Sequence, residues 1–229
     1  MTTELSRLKL AVLISGSGRT LQNFIELAAD DQLPVDIRLV ISSSAKAGGL
    51  KFAEQAGIKT VVLRRQDFAT GAAGDQAYGD AVFGACREAG VDYVAMAGFL
   101  KLAPVPDDFA ARVVNIHPAL IPAFSGPGMY GDRVHQAVLD AGVRVTGCTV
   151  HFVDNVYDHG PIIWQQPVPV FDDDTADTLG KRVFEVEKEA FPHVLRMLAG
   201  GRIKLEAGRV KFLKAQRSER SRSGAYPIE

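Results

Sequence analysis

The sequence predicts an α/β fold, a mostly parallel sheet flanked by helices and finished by an antiparallel hairpin and one long helix. Three observations carry this. Short, near-continuous apolar runs alternate with stretches whose apolar residues recur at helical spacing as far as residue 98. Glycine-rich turns stand where strands should give way to helices. Beyond residue 113 the alternation yields to two adjacent β-type runs and a helical stretch over 175–201.

Residues 8–16, LKLAVLISG, read as a buried strand, and 20–30, TLQNFIELAAD, as the helix after it. Residues 35–43 give a second strand, 48–57 a second helix closed by Gly57, 58–65 a third strand, and 75–90 a third helix closed by Gly90. Residues 91–98 supply a fourth strand. Strands this apolar belong to parallel sheets covered on both faces and joined by right-handed crossovers, and ligands of such sheets bind beyond the strands' carboxyl ends. VVNIH, 113–117, is a short strand that stops at His117, and PALIPAFSGPGMYG, 118–131, is too rich in proline and glycine to be regular. A helix over 132–142 precedes strands over 145–154 and 161–170, with NVYDHG as the hairpin connection. The long helix has Asp174 or Thr175 as its N-cap and ends at Gly200 or Gly201.

Lys plus Arg number 26 against 27 Asp plus Glu, a formal net charge of -1, so no global basic field draws the chain to nucleic acid. A small-molecule partner is expected. The 47% of hydrophobic residues is enough for a real core. Between Arg202 and Glu229 stand eight Lys and Arg against three Glu, a basic extension expected to be solvated surface or a flexible end. Cys86 and Cys148 have no Cys-x-x-Cys or Cys/His spacing and read as reduced core thiols. The apolar run from Leu8 to Ile14 is broken by Lys9 and is too short for a signal-peptide core or a membrane span, so a cytoplasmic protein without a membrane partner is expected.

Three clusters can carry chemistry. Gly16, Gly18, Arg19 and Thr20 leave a strand and open a helix, where backbone N–H groups, a close glycine approach and a cation suit a phosphate. The pattern is neither a full G-x-G-x-x-G nor a G-x-x-x-x-G-K-[ST] turn, and a purely structural glycine turn is the competing reading. Asn115 and His117 point to one side of an extended segment, so an amide and an imidazole converge as the donors of an oxyanion site do. Thr149 and His151 likewise share a strand face, and Asp158 follows in a tight connection where its carboxylate can orient a histidine. His135, His159 and His193 have no such partner and read as surface or secondary residues. No recognised metal-ligand spacing is present, so no metal is expected.

ISGSGRTLQ, MAGFLKLAP from Met96 to Pro104, NIHPALIP from Asn115 to Pro122 and GCTVHFVDNVYDHGPII from Gly147 to Ile163 occur in the order and spacing of a known family. Over residues 8 to 200 the chain resembles the phosphoribosylglycinamide formyltransferases of purine synthesis. The resemblance implies a Rossmann-like formyltransferase fold in one domain over 1–201, with a phosphate-binding half over 8–112 and a catalytic and folate half over 113–201, followed by the extension 202–229. It implies that the amine of glycinamide ribonucleotide attacks the formyl carbon of 10-formyltetrahydrofolate, the co-substrate, through a tetrahedral intermediate and without a metal. Asn115 and protonated His117 would stabilise the oxyanion, and Asp158 would hold His117 charged and help proton transfer. Gly16, Gly18, Arg19 and Thr20 would meet the phosphate, Thr149 and His151 would support the site, and Glu187 would approach the glycinamide end. Met96, Phe99, Leu100, Lys101, Leu102, Asn115, Val153 and Asp154 would line the folate pocket.

Three departures from the family pattern stand out. Gly18-Arg19-Thr20 replaces the usual Gly-Ser-Asn turn, and the helix after the third strand lacks the family's arginine, for which Arg19 or Arg64 is the expected substitute. The loop SGPGMYGDRVHQ is also longer than the family's common version and would reshape the substrate mouth, which leaves a different acceptor amine as one alternative; a formyltetrahydrofolate hydrolase is the other. Methionyl-tRNA formyltransferase and formyltetrahydrofolate deformylase share the trio but carry further domains, which the length is expected to exclude. A non-enzymatic nucleotide-binding module is the alternative of another class. A monomer or a homodimer is expected.

Overall fold

The computed structural model describes residues 7–214. In chain order the elements are β1 (Leu8–Ile14), α1 (Arg19–Ala29), β2 (Val35–Ser42), α2 (Gly49–Gln55), β3 (Thr60–Val62), α3 (Ala72–Glu88), β4 (Tyr93–Met96), β5 (Val113–His117), α4 (Asp132–Asp140), β6 (Val145–Phe152), β7 (Ile162–Pro169), α5 (Ala176–Ala199), β8 (Ile203–Glu206) and β9 (Arg209–Phe212). Seven strands form one sheet in the order β3-β2-β1-β4-β5-β6-β7. Pairings among the first five are parallel, whereas β5 with β6 and β6 with β7 are antiparallel.

The two-residue period of the strands divides the core. Leu10, Val12 and Ile14 of β1 face one cluster with Leu21, Phe24, Phe191 and Leu195, while Ala11 and Leu13 face another with Tyr78, Val82 and Phe83 of α3. Phe24 and Phe191 meet edge to face, with ring centroids 5.1 Å apart, and tie α1 to α5. Thr175 caps α5 by accepting from the Thr178 N–H. Pro192 lies inside α5 and has no N–H for the carbonyl of Lys188, which instead accepts from Asn23 Nδ2 at 3.0 Å. Both cysteines are buried and free, their thiols pushed up to about 12 by burial.

The structure alters three expectations. The third strand ends at Val62, because Arg64 pairs with Asp67 and Arg65 with Asp75, folding 65–67 into a 3-10 turn. The helix expected from residue 75 begins at Ala72, after Gly71 at a φ of 81°. Part of the basic extension is the hairpin β8–β9, whose Ile203, Leu205 and Val210 pack against the core. The rest of that extension, 215–229, lies outside the described residues. Among the described residues no helix is long and apolar enough to cross a membrane.

Gly18 and Gly49 fix how α1 and α2 start. Gly18 has a φ of 74°, and a Cβ there would stand 2.3 Å from Gly49 Cα. Left-handed strain and a backbone collision act together at this position. Gly18→Ala is therefore expected to destabilise the protein by about 3 kcal/mol, read as a lower Tm. An unchanged Tm would refute the close approach of the two helices.

Candidate active site

At the carboxyl ends of β1, β4 and β5 the chain encloses a cavity of about 440 Å³. Its floor is the turn after β1. The Gly98 carbonyl accepts from the Ser15 N–H at 3.1 Å, and Ser15 Oγ accepts from the Leu100 N–H at 2.9 Å, so this turn is locked to the loop after β4. Gly16, Gly18, Arg19 and Thr20 line the cavity. Among the described residues no side chain caps α1, whose first internal bond runs from Gln22 N–H to the Gly18 carbonyl at 2.9 Å, so the N–H groups of the first turn remain for an anion. The Arg19 guanidinium lies 4.1 Å from the centre of the Phe184 ring.

Asn115, His117 and Asp158 meet on the opposite wall. In the antiparallel register Asn115 faces His151 and His117 faces Thr149. The Asn115 amide lies 3.2 Å from His151 Nε2, and His151 Nδ1 lies 2.8 Å from the Phe152 carbonyl. A carbonyl only accepts, so Nδ1 carries the proton of the neutral ring and Nε2 accepts from Asn115. Burial pushes the His151 pKa down, which keeps that ring neutral against the pull of the Phe152 carbonyl and Asp158. One N–H of Asn115 is held in this way, and the other is left for the cavity.

His117 is 3% exposed, with Nδ1 3.4 Å from Asp158 Oδ2. Its Nε2 donates to the Phe124 carbonyl at 2.8 Å, and Asp158 Oδ2 accepts from the Gly126 N–H at 3.0 Å. The irregular loop 118–131 thus grips both members of the pair through its backbone. Thr149 anchors the start of that loop, since its hydroxyl donates to the Ala119 carbonyl at 2.7 Å and accepts from the Ile121 N–H at 3.1 Å.

Glu187 lines the cavity from α5. Burial raises its carboxyl to about 7, and nearby Arg19 draws it back down.

The structure therefore brings Gly16, Gly18, Arg19, Thr20, Asn115, His117, Asp158 and Glu187 to one cavity, along with Phe99 and Leu100. Thr149 and His151 stand behind the wall and do not line it. Met96, Lys101, Leu102, Val153 and Asp154 are not among the lining residues either; Lys101 faces a separate depression with Arg64 and Arg65. Arg64 is bound to Asp67 at 2.8 Å outside the cavity, which leaves Arg19 as the one of the two expected substitutes that reaches the site. His159 pairs with Asp154 at the surface, and His193 packs on Trp164. His135, expected at the surface, is buried and lines the cavity. Its place at an apolar-spaced position of the helix after the long loop was the available signal, and no sequence feature marked Phe184 as a seat for Arg19.

Residues 8–195 match the family described as Formyl transferase. The chain is 36% identical to a phosphoribosylglycinamide formyltransferase of Haemophilus influenzae over 86% of this chain and 90% of that protein. It is 40% identical to the trifunctional purine biosynthetic protein adenosine-3 of Gallus gallus over 90% of its own length, but spans only 20% of that relative. The crystal structure of glycinamide ribonucleotide transformylase 1 from Symbiobacterium toebii superposes with a TM-score of 0.80 at 36% identity, covering 91% of this chain and 95% of that one. A match that takes in every strand of the large sheet, and that extends over nearly the whole of relatives of similar size, makes this chain a member of the formyl transferase family.

Proposed function

We propose that the protein transfers the formyl group of 10-formyltetrahydrofolate to the amine of glycinamide ribonucleotide. The observation that carries this reading is a single cavity with an uncapped helix N-terminus on one wall and the Asn115, His117, Asp158 cluster on the other. An acceptor that is phosphorylated at one end and nucleophilic at the other fits those two walls. The volume lies within the range of small-ligand sites, and Phe99 and Leu100 give the apolar contact that a pterin ring needs. The formyl folate supplies the electrophilic carbon, the acceptor supplies the nucleophilic amine, and the chain supplies the donors and charges around them.

Asn115 contributes the N–H that His151 leaves unused. His117 contributes Nε2–H, which must exchange the Phe124 carbonyl for the reacting oxygen. Asp158 faces Nδ1 and stabilises the imidazolium, so charge develops in the transition state against an Asn115 N–H already in place and a His117 N–H that turns from Phe124 to meet it. The Asp158 carboxylate then takes up, through water, the proton that the amine loses, and that proton passes to the folate nitrogen as its bond to the formyl carbon breaks, releasing tetrahydrofolate and the formylated amine. At the other wall the first-turn N–H groups and Arg19 hold the phosphate.

Arg19→Ala is expected to raise KM for the ribonucleotide roughly tenfold, the loss of one charge-assisted contact, with KM for the formyl folate unchanged. Equal affinity in the variant would exclude Arg19 as the phosphate cation. The decisive assay follows absorbance as 10-formyltetrahydrofolate loses its formyl group, with and without glycinamide ribonucleotide, using His117→Ala as the contamination control. Turnover that needs the ribonucleotide supports the transferase. Turnover without it identifies a hydrolase, and none in either case sends the reading to another amine.

A further inference from the structure

On the cavity wall made by α4 and α5, His135 is 6% exposed, and its Nδ1 has no hydrogen-bond partner among the described residues. Buried polar atoms are nearly always paired, and an unpaired one costs stability. The chain nonetheless makes room for this ring. Gly180 sits inside α5, where glycine weakens a helix, and a Cβ there would stand 2.9 Å from His135 Cδ2 and 3.1 Å from Nε2. Val183, Phe184 and Glu187, further along the same helix, line the cavity as well. Burial pushes the His135 pKa down, Asp132 opposes this and His117 adds to it. A neutral imidazole offers one N–H and one lone pair, which suits an uncharged amide or hydroxyl and not a phosphate.

We infer that His135 is a substrate-binding residue that hydrogen bonds an uncharged amide or hydroxyl of the acceptor substrate. The inference rests on the proposed acceptor and adds a residue to its recognition. The two charged or reacting ends of that acceptor already have their partners, at the start of α1 and at Asn115 and His117. Its amide and sugar hydroxyls remain, and the unpaired imidazole of the α4–α5 wall remains with them. Apolar packing would be served better by leucine or phenylalanine, which leave no polar atom unpaired.

The test is steady-state kinetics and thermal unfolding of the full chain with His135 changed to Phe, Leu, Asn or Gln. His135→Phe and His135→Leu are expected to raise KM for glycinamide ribonucleotide roughly three- to tenfold, leave KM for 10-formyltetrahydrofolate unchanged, and keep Tm at or above the wild-type value. Asn sets an amide where Nδ1 was and Gln where Nε2 was, and one of them restores the acceptor KM. An unchanged acceptor KM in both apolar variants overturns the inference, as does a rise in both KM values together with a fall in Tm, which would mark a packing role. Titration of the ribonucleotide into wild type by calorimetry separates the two readings. If wild type neither binds nor formylates it, the acceptor assignment fails and takes this inference with it. If wild type does both and the apolar variants match it, the role of His135 alone fails.

Discussion

His117→Ala is expected to lower kcat for formyl transfer about a thousandfold while KM for both substrates stays within a few-fold. His117 is placed to donate to a developing oxyanion, and its other nitrogen holds Asp158, the carboxylate that takes up the proton the amine gives up. Loss of a preorganised oxyanion donor lowers kcat by about 10²–10³, and loss of a general acid or base by about 10²–10⁴. Because His117 and Asp158 act as a unit, the effects do not simply multiply. Asn115→Ala removes only a donor and is expected to fall in the lower range, about a hundredfold. Asp158→Asn keeps the Gly126 contact but removes the carboxylate that faces His117 Nδ1 and takes up the proton, so it is expected to lower kcat by about 10²–10⁴. Calorimetric titration of the ribonucleotide confirms that binding survives. A His117→Ala enzyme with near-normal kcat would remove the imidazole from the chemistry, and a merely raised KM would make it a binding group.

The alternation of apolar runs and amphipathic stretches was legible because each strand of the parallel half is buried on both faces, as Leu10 and Leu13 show on opposite sides of β1. The same-face placement of Asn115 and His117 followed from the strand period alone. What did not follow was anything set by register or by long-range packing. The antiparallel pairing that puts His151 behind Asn115 depends on β5 and β6 lying next to each other, which no local pattern states. The support of Thr149 is one strand removed from the cavity because its cross-strand partner is His117 itself. Arg64 was a reasonable substitute by sequence, but Asp67 three residues on captures it. Gly49 gave no hint that its Cα would stand against Gly18, and the unpaired nitrogen of His135 is a property of packing alone.

Glu187→Gln should make the protein more stable at pH 8 and worse at binding its acceptor. The Glu187 carboxyl has an ordinary value of 4.5 and is raised to about 7 in the fold by burial, against the opposing pull of Arg19. Between those two values the native protein holds a proton that the unfolded chain has released. By linkage the stability contributed by this group is full below pH 4.5, falls as pH rises to about 7, and is flat beyond. The gap between wild type and Glu187→Gln should therefore be absent in acid, open through that window, and reach at most about 3 kcal/mol above it. Urea unfolding from pH 4.5 to 8 measures it, and a gap independent of pH would mean that the carboxyl does not titrate in the fold. A chain that keeps so costly a carboxylate where glutamine would serve packing better has a reason outside folding. On the proposed function that reason is the acceptor, whose amine end would take an anion beside it and whose phosphate would take the Arg19 cation. Acceptor binding by wild type should strengthen as pH rises through about 7, and Glu187→Gln should lose that rise. Arg19→Ala, by removing the charge that holds the carboxyl down, should move the same transition to higher pH and so tie the two ends of the cavity into one electrostatic unit.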